Sequence, residues 1–211
     1  MITTLSVGPI GVNVHIVDLG GDRAVIVDPG AEPGRIATTL GGRKPVCIAL
    51  THGHLDHTAA LPGLLDVLGP VPVAVHSADA RYLGVRGEET NLRVFADLGS
   101  RTFFDRYWSP LPEAEVLLED GDELPGTRIR VLHTPGHTAG SCCFYVEEDS
   151  ALLAGDTLFR GGLGRTDNFD SSEEAILDSI RRRILVLPPD TKVYPGHGET
   201  TTVAAERPYF L

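Results

Sequence analysis

Between His52 and His57 the chain sets three histidines and one aspartate within six residues, as His52-Gly53-His54-Leu55-Asp56-His57. Imidazole and carboxylate are the ordinary ligands of zinc and related divalent ions. A lone histidine on an apolar segment is most often a packed or surface residue, but burying this many polar groups without partners would be very costly. The cluster reads as a metal site. His52 and His54, two positions apart, project the same way from an extended segment, whereas Asp56 and His57 fall in the turn that follows and face another point. That division suits two neighbouring ions better than one.

The cluster needs a rigid support, and Val46-Cys47-Ile48-Ala49-Leu50 just before it has the pattern of a buried strand. A polar turn at the end of an apolar strand then recurs along the chain. His137 follows a strand at Arg128 to His133, Asp156 follows one at Ala151 to Ala154, and His197 follows one at Lys192 to Tyr194. Gly136, Gly155 and Gly196 allow the backbone to bend sharply at each turn. One edge of a pair of sheets that gathers these turns would hold five histidines (52, 54, 57, 137, 197) and two aspartates (56, 156). Asp28 closes another strand, either as a turn residue or as an acceptor that orients a ligand histidine.

Elsewhere the pattern predicts strands at 3–7, 12–18, 71–75, 116–118, 122–124 and 142–146. It predicts helices at 35–40, 58–68, from the His76 cap to about Gly84, and from a Ser171/Glu174 capping box to about Leu185. Residues 84–113 read as irregular. Their aromatics Phe95, Phe103, Phe104, Tyr107 and Trp108 form a local mini-core, a pocket wall or a subunit contact, and a homodimer would use them. Strands and helices in this order fit two packed sheets flanked by helices.

With 211 residues the length fits one domain, and a net charge of −11 argues against a nucleic-acid partner. Cys47, Cys142 and Cys143 form no CxxC pattern, and adjacent Cys142 and Cys143 point to opposite faces of a strand, so buried free thiols are expected. No apolar run reaches the ~20 residues of a membrane span, and Met1 to Leu5 lacks the marks of a signal peptide. A cytoplasmic protein without a membrane partner is expected.

Thr51-His52-Gly53-His54-Leu55-Asp56-His57, with Thr134-Pro135-Gly136-His137, Gly155-Asp156-Thr157 and Pro195-Gly196-His197, resembles the metallo-β-lactamase superfamily. Within it the chain is similar to the glyoxalase II branch, the hydroxyacylglutathione hydrolases, in their short single-domain form. The resemblance implies an α/β fold, a four-layered αββα sandwich of the metallo-β-lactamase type, as one domain over 1–211. It implies a first metal on His52, His54 and His137, a second on Asp56, His57 and His197, Asp156 bridging both, and Asp28 supporting the ligands. The cofactor it implies is a pair of divalent ions, zinc foremost, with iron or manganese accepted by the same ligands.

Two such ions can share a hydroxide that attacks an acyl carbonyl, and Asp56 can hold its proton. A thiolate leaving group needs little protonation, since free thiols have a pKa near 8.5. The expected substrate is therefore a small thioester such as S-lactoylglutathione. The long form of the family has a helical domain that grips glutathione, and this chain has too few residues after His197 to include it. Arg160 and Arg165 are the candidates to meet the thiol half, although for each, as for Arg86, a solvated surface arginine is the commoner reading. Three rival readings keep the same ligands. They are a mononuclear iron persulfide dioxygenase, which shares the Gly164-Arg165-Thr166-Asp167 stretch, a lactonase, and a metal-binding module without catalysis.

Overall fold

Alternation along each strand divides the apolar side chains between two faces, and that division builds the layers. The computed structural model describes residues 1–211. One sheet has six strands in sequence order: β1 (Ile2–Val7), β2 (Val12–Gly20), β3 (Arg23–Val27), β4 (Lys44–Ala49), β5 (Val73–His76) and β6 (Val116–Leu118). Its first three strands are antiparallel, and β3 to β6 run parallel. The other sheet contains β7 (Arg130–His133), β8 (Cys142–Val146), β9 (Ala151–Gly155), β12 (Lys192–Pro195) and β13 (Thr201–Thr202), in the order β13-β12-β9-β8-β7. A short hairpin, β10 (Leu158–Phe159) with β11 (Gly162–Leu163), stands beside it.

Val25, Val27, Cys47 and Ala49 of the first sheet meet Val131, Cys142, Phe144 and Leu153 of the second, forming the core between the sheets. The alternate residues Ile26, Ile48 and Val73 face outward to α1 (Pro33–Leu40), α3 (Leu61–Leu68), α4 (Gly84–Asp97) and α5 (Arg101–Tyr107). On the other side Cys143, Tyr145, Leu152 and Val193 pack on α6 (Glu173–Ser179), its π-helical continuation Ile180–Ile184, and α7 (Val203–Phe210). The result is the αββα sandwich. Cys142 and Cys143 take opposite faces as expected, and all three cysteines are free and buried. No helix is long and apolar enough to cross a membrane.

Several elements differ from expectation. Residues 84–113 hold two helices rather than an irregular segment. The inward face of α4 is Gly87, Thr90, Asn91, Val94 and Phe95, so polar residues sit where an apolar stripe is sought. Asn91 Nδ2 donates to the carbonyls of Tyr82 and Gly87 at 3.0 Å each, which makes its burial tolerable. The aromatics stack locally, Phe95 on Phe103 and Phe104 on Trp108, with ring centroids 5.1 and 5.2 Å apart.

The expected helix 58–68 is divided into α2 (Leu55–Thr58) and α3. Residues 122–124 form only an isolated bridge from Glu123 to Arg130. The helix cap is Ser172, whose hydroxyl accepts from Ala175 N, because Ser171 Oγ is engaged with Asn168. Residues 203–210, not singled out in the sequence, form α7.

A polar seam joins the two sheets at one edge. Asn13 on β2 donates through Nδ2 to the carbonyls of Pro195 and Gly198, both at 3.0 Å, and its backbone N–H reaches Gly196 O at 2.7 Å. His15 Nε2 lies 3.2 Å from Pro195 O, and its Nδ1 is 3.0 Å from Thr4 Oγ1. Burial drives the His15 imidazole down to about 4, against the pull of Asp28 and of the Pro195 carbonyl.

Phe144→Ala removes the ring that fills the space between the sheets and is expected to cost about 3–5 kcal/mol, read from urea unfolding of the metal-free protein. His15 supplies a pH signature. A group depressed on folding contributes in full above its ordinary value of 6.5, and that contribution is lost as pH falls toward 4. His15→Gln should therefore flatten the acid loss of stability in that window by up to about 1.4 kcal/mol per pH unit. Urea midpoints at stepped pH test this, and an unchanged slope contradicts it.

Candidate metal centre

The strand ends β3, β4, β9 and β12 and the β7–β8 loop bring the polar turns together at the seam edge. His52 and His54 extend from the end of β4, and His54 is the residue at which α2 begins. Asp56 and His57 lie on α2, His137 on the β7–β8 loop, Asp156 directly after β9 and His197 just beyond β12. Gly196 is required here, since a Cβ on it would lie 2.3 Å from Asp156 Oδ1 and 2.7 Å from His57 Cε1.

The outward nitrogens show which ring atoms face the centre. His57 Nδ1 lies 3.1 Å from Asp28 Oδ2, His137 Nδ1 2.8 Å from Arg165 O, and His197 Nδ1 3.3 Å from Ile10 O. Carboxylates and carbonyls only accept, so in each case Nδ1–H donates and Nε2 is the ring nitrogen turned toward the centre. His52 reaches the same state through a relay. Thr51 Oγ1 gives its one hydrogen to Asp28 Oδ2 at 2.6 Å, so it accepts from His52 Nδ1 at 3.1 Å. Metal-binding histidines characteristically donate their other N–H in this way. His54 is turned the other way, with Nδ1 3.0 Å from His137 Nε2.

Within the cluster, ligand atoms of His52, His54 and His137 all lie within 4.8 Å of one another, as do those of Asp56, His57 and His197. Asp156 stands between the two trios. Its Oδ2 is 3.7 Å from both His137 Nε2 and His197 Nε2, and its Oδ1 is 3.4 Å from His57 Nε2. Asp56 Oδ2 is 3.4 Å from His197 Nε2 and 3.6 Å from His57 Nε2. His52 Nε2, His57 Nε2 and Asp156 Oδ1 are buried with no hydrogen-bond partner, a costly arrangement unless a cation meets them. Two nitrogens bound to one tetrahedral zinc lie about 3.3 Å apart, close to the His54–His137 separation. The residues present fit one or two divalent ions.

The electrostatics agree. Burial, reinforced by the neighbouring imidazoles, holds His52 and His54 well below the usual histidine range, which keeps them in the neutral form that binds metal. At His57 burial is outweighed by the carboxylates of Asp156, Asp56 and Asp28, which push it up to about 10. Asp56, despite burial, is held well below the usual carboxylate range by His57 and His197. This part of the fold calls for positive charge.

Asp28 forms a third cluster with His52 and His57, but both of its oxygens are engaged. They accept Thr51 N–H at 2.8 Å, the Thr51 hydroxyl and His57 Nδ1–H. The geometry gives Asp28 a supporting position. The two arginines are paired on the surface: Arg160 with Glu199, and Arg165 with Asp167 at 2.7 Å. What Arg165 brings to the centre is its backbone carbonyl.

Sequence reasoning missed Asn13, His15, Thr51, the Arg165 carbonyl and Asp79. Of these Thr51 alone had a signal, its place beside His52. Asp79 read as a helix-capping residue, yet it is fully buried against Gly53, Thr138 and Gly140. Burial pushes its carboxyl up to about 6, although these donors pull the other way.

Comparison with known proteins agrees with this architecture. The crystal structure of the BLEG-1 B3 metallo-beta-lactamase is 32% identical and superposes with a TM-score of 0.87, covering 100% of this chain and 98% of that one. TTHA1623 in a di-iron-bound form is 36% identical, with a TM-score of 0.80 and coverage of 97% and 96%. The hydroxyacylglutathione hydrolase GloC of Haemophilus influenzae is 33% identical over 87% of this chain and 84% of its own. The profile of the metallo-beta-lactamase superfamily matches residues 7–197, and the chain belongs to that family.

Proposed function

We propose that this chain is a metal-dependent thioesterase of the glyoxalase II kind in its short, single-domain form, hydrolysing S-lactoylglutathione or another small S-acyl thiol. The observation that carries the hydrolytic reading is the position of Asp156 between the His137 side and the His57/His197 side of one buried cluster. His52, His54 and His137 would hold one ion, Asp56, His57 and His197 a second, and Asp156 both. Zinc suits this donor set, and iron or manganese would be accepted by it. Ions held there would supply a hydroxide nucleophile at neutral pH and polarise the acyl carbonyl.

The chain's own residues set the rest. Asp56 is kept ionised by His57 and His197, so it can accept the nucleophile's proton and orient its attack. His197 and the partly exposed edges of Asp56 and Asp156 form the side of the cluster that solvent reaches. A substrate would therefore approach past His197, against whose ring Phe159 lies edge-on at 6.3 Å. Arg160, next to Phe159, and Arg165, next to the His137 loop, would meet an anionic thiol half by exchanging Glu199 and Asp167 for it. No dedicated acid is needed for a thiolate to leave. The resemblance to GloC supports the acyl-glutathione class over a lactone.

His54→Ala and Asp156→Ala should each lower thioesterase kcat/KM by more than the roughly hundredfold typical of losing a group that merely supports a ligand, with the metal-free melting temperature little changed. Metal analysis of the purified protein, beside assays with S-lactoylglutathione and glutathione persulfide, tests the assignment. Two ions per chain with thioester turnover support it. One iron with oxygen uptake on the persulfide overturns it.

A further inference from the structure

We propose that Asp79 is the positioning residue that fixes the His52, His54 and His137 trio, by tying together the two loops that carry it. The inference rests on reading that trio as a metal subsite. Asp79 lies in the 3₁₀ turn Ser77–Tyr82, an element that carries no candidate ligand. Its Oδ2 accepts the Gly53 N–H at 2.9 Å and the Thr138 hydroxyl at 2.8 Å, and its Oδ1 accepts the Gly140 N–H at 2.8 Å. Gly53 is the residue between His52 and His54, and Thr138 follows His137. One carboxylate thus grips a loop from each sheet at the point where the three imidazoles meet.

The grip has little slack. A Cβ on Gly140 would lie 2.6 Å from the Asp79 carboxyl carbon, and one on Gly53 would lie 2.3 Å from Tyr82 Cβ. Every hydrogen bond to Asp79 comes from a neutral donor rather than a cation. Burying an ionised carboxylate in this way carries a desolvation cost that an apolar contact would avoid. The charge strengthens its hold on three neutral donors, two of them backbone amides of the loops that carry the trio. Asp79→Asn keeps the shape but has one acceptor oxygen, and its NH₂ must then face the N–H of either Gly53 or Gly140.

The test is Zn²⁺ affinity, measured by equilibrium dialysis and metal analysis on chelator-stripped protein. The parent is expected to bind two ions and His197→Ala to weaken one of them. In the His197→Ala background, Asp79→Asn should weaken the remaining ion by about tenfold to a hundredfold, with the metal-free melting temperature near that of the parent. Thr138→Val, which removes one of the tethers and keeps the side-chain shape, should weaken it several-fold and serves if Asp79→Asn does not fold. Unchanged affinity in the foldable variant, or a fall in metal-free melting temperature without a change in affinity, overturns the role of Asp79. A parent that binds no divalent metal overturns the metal centre itself, a separate outcome.

Discussion

The centre depends first on the Asp28 carboxylate. It sits at the end of β3 with no exposure and in a left-handed backbone conformation, φ 54°, which a non-glycine residue adopts only when its surroundings hold it there. One oxygen accepts the backbone N–H of Thr51; the other accepts both the Thr51 hydroxyl and His57 Nδ1–H. Through His57 it orients one half of the cluster directly. Through Thr51 it fixes the ring of His52, in the other half, by way of a hydroxyl left with only its acceptor side. A single buried anion thereby sets the tautomers of imidazoles in both halves.

The second requirement is closure of the two sheets against each other. The centre lies across their joint edge, so its geometry is only as good as their registry. Asn13 and His15 anchor β2 to the backbone at Pro195 and Gly198, and the Val12–His197 bridge continues that contact to the edge of the cluster. The apolar core behind the seam supplies the driving force, while the seam supplies the register. Backbone carbonyls at Ile10 and Arg165 complete the orientation of His197 and His137. These contacts use main-chain atoms, so any side chain could stand at Ile10 or Arg165 without loss of the hydrogen bond.

This explains what was legible in the sequence. The imidazoles and carboxylates at 52–57, 137, 156 and 197 stood out because their residue types are chemically distinctive and each follows an apolar run ending in a turn. The sheets were legible for a related reason: strands buried on both faces read as continuous apolar stretches. Helix α4 was not, because Thr90 and Asn91 occupy its inward face and satisfy themselves through contacts that hydropathy does not record. Asp79 and Asn13 were hidden for a similar reason. Aspartate in a turn and asparagine near a strand start are ordinary residues until the chain folds and shows which amides they meet. The partners of the arginine side chains were hidden in the same way, since only the fold sets Arg160 beside Glu199.

The seam also constrains the order of assembly. Asn13 meets Gly198 across 185 residues of chain, and His137 meets His54 across 83. Contacts of such sequence separation carry a large loop-closure penalty and form slowly. The turn at 52–57 can take shape locally, but His197 reaches it only after β12 has docked beside β9. Until then the cluster lacks His197, so its full set of imidazoles and carboxylates exists only once both sheets have closed.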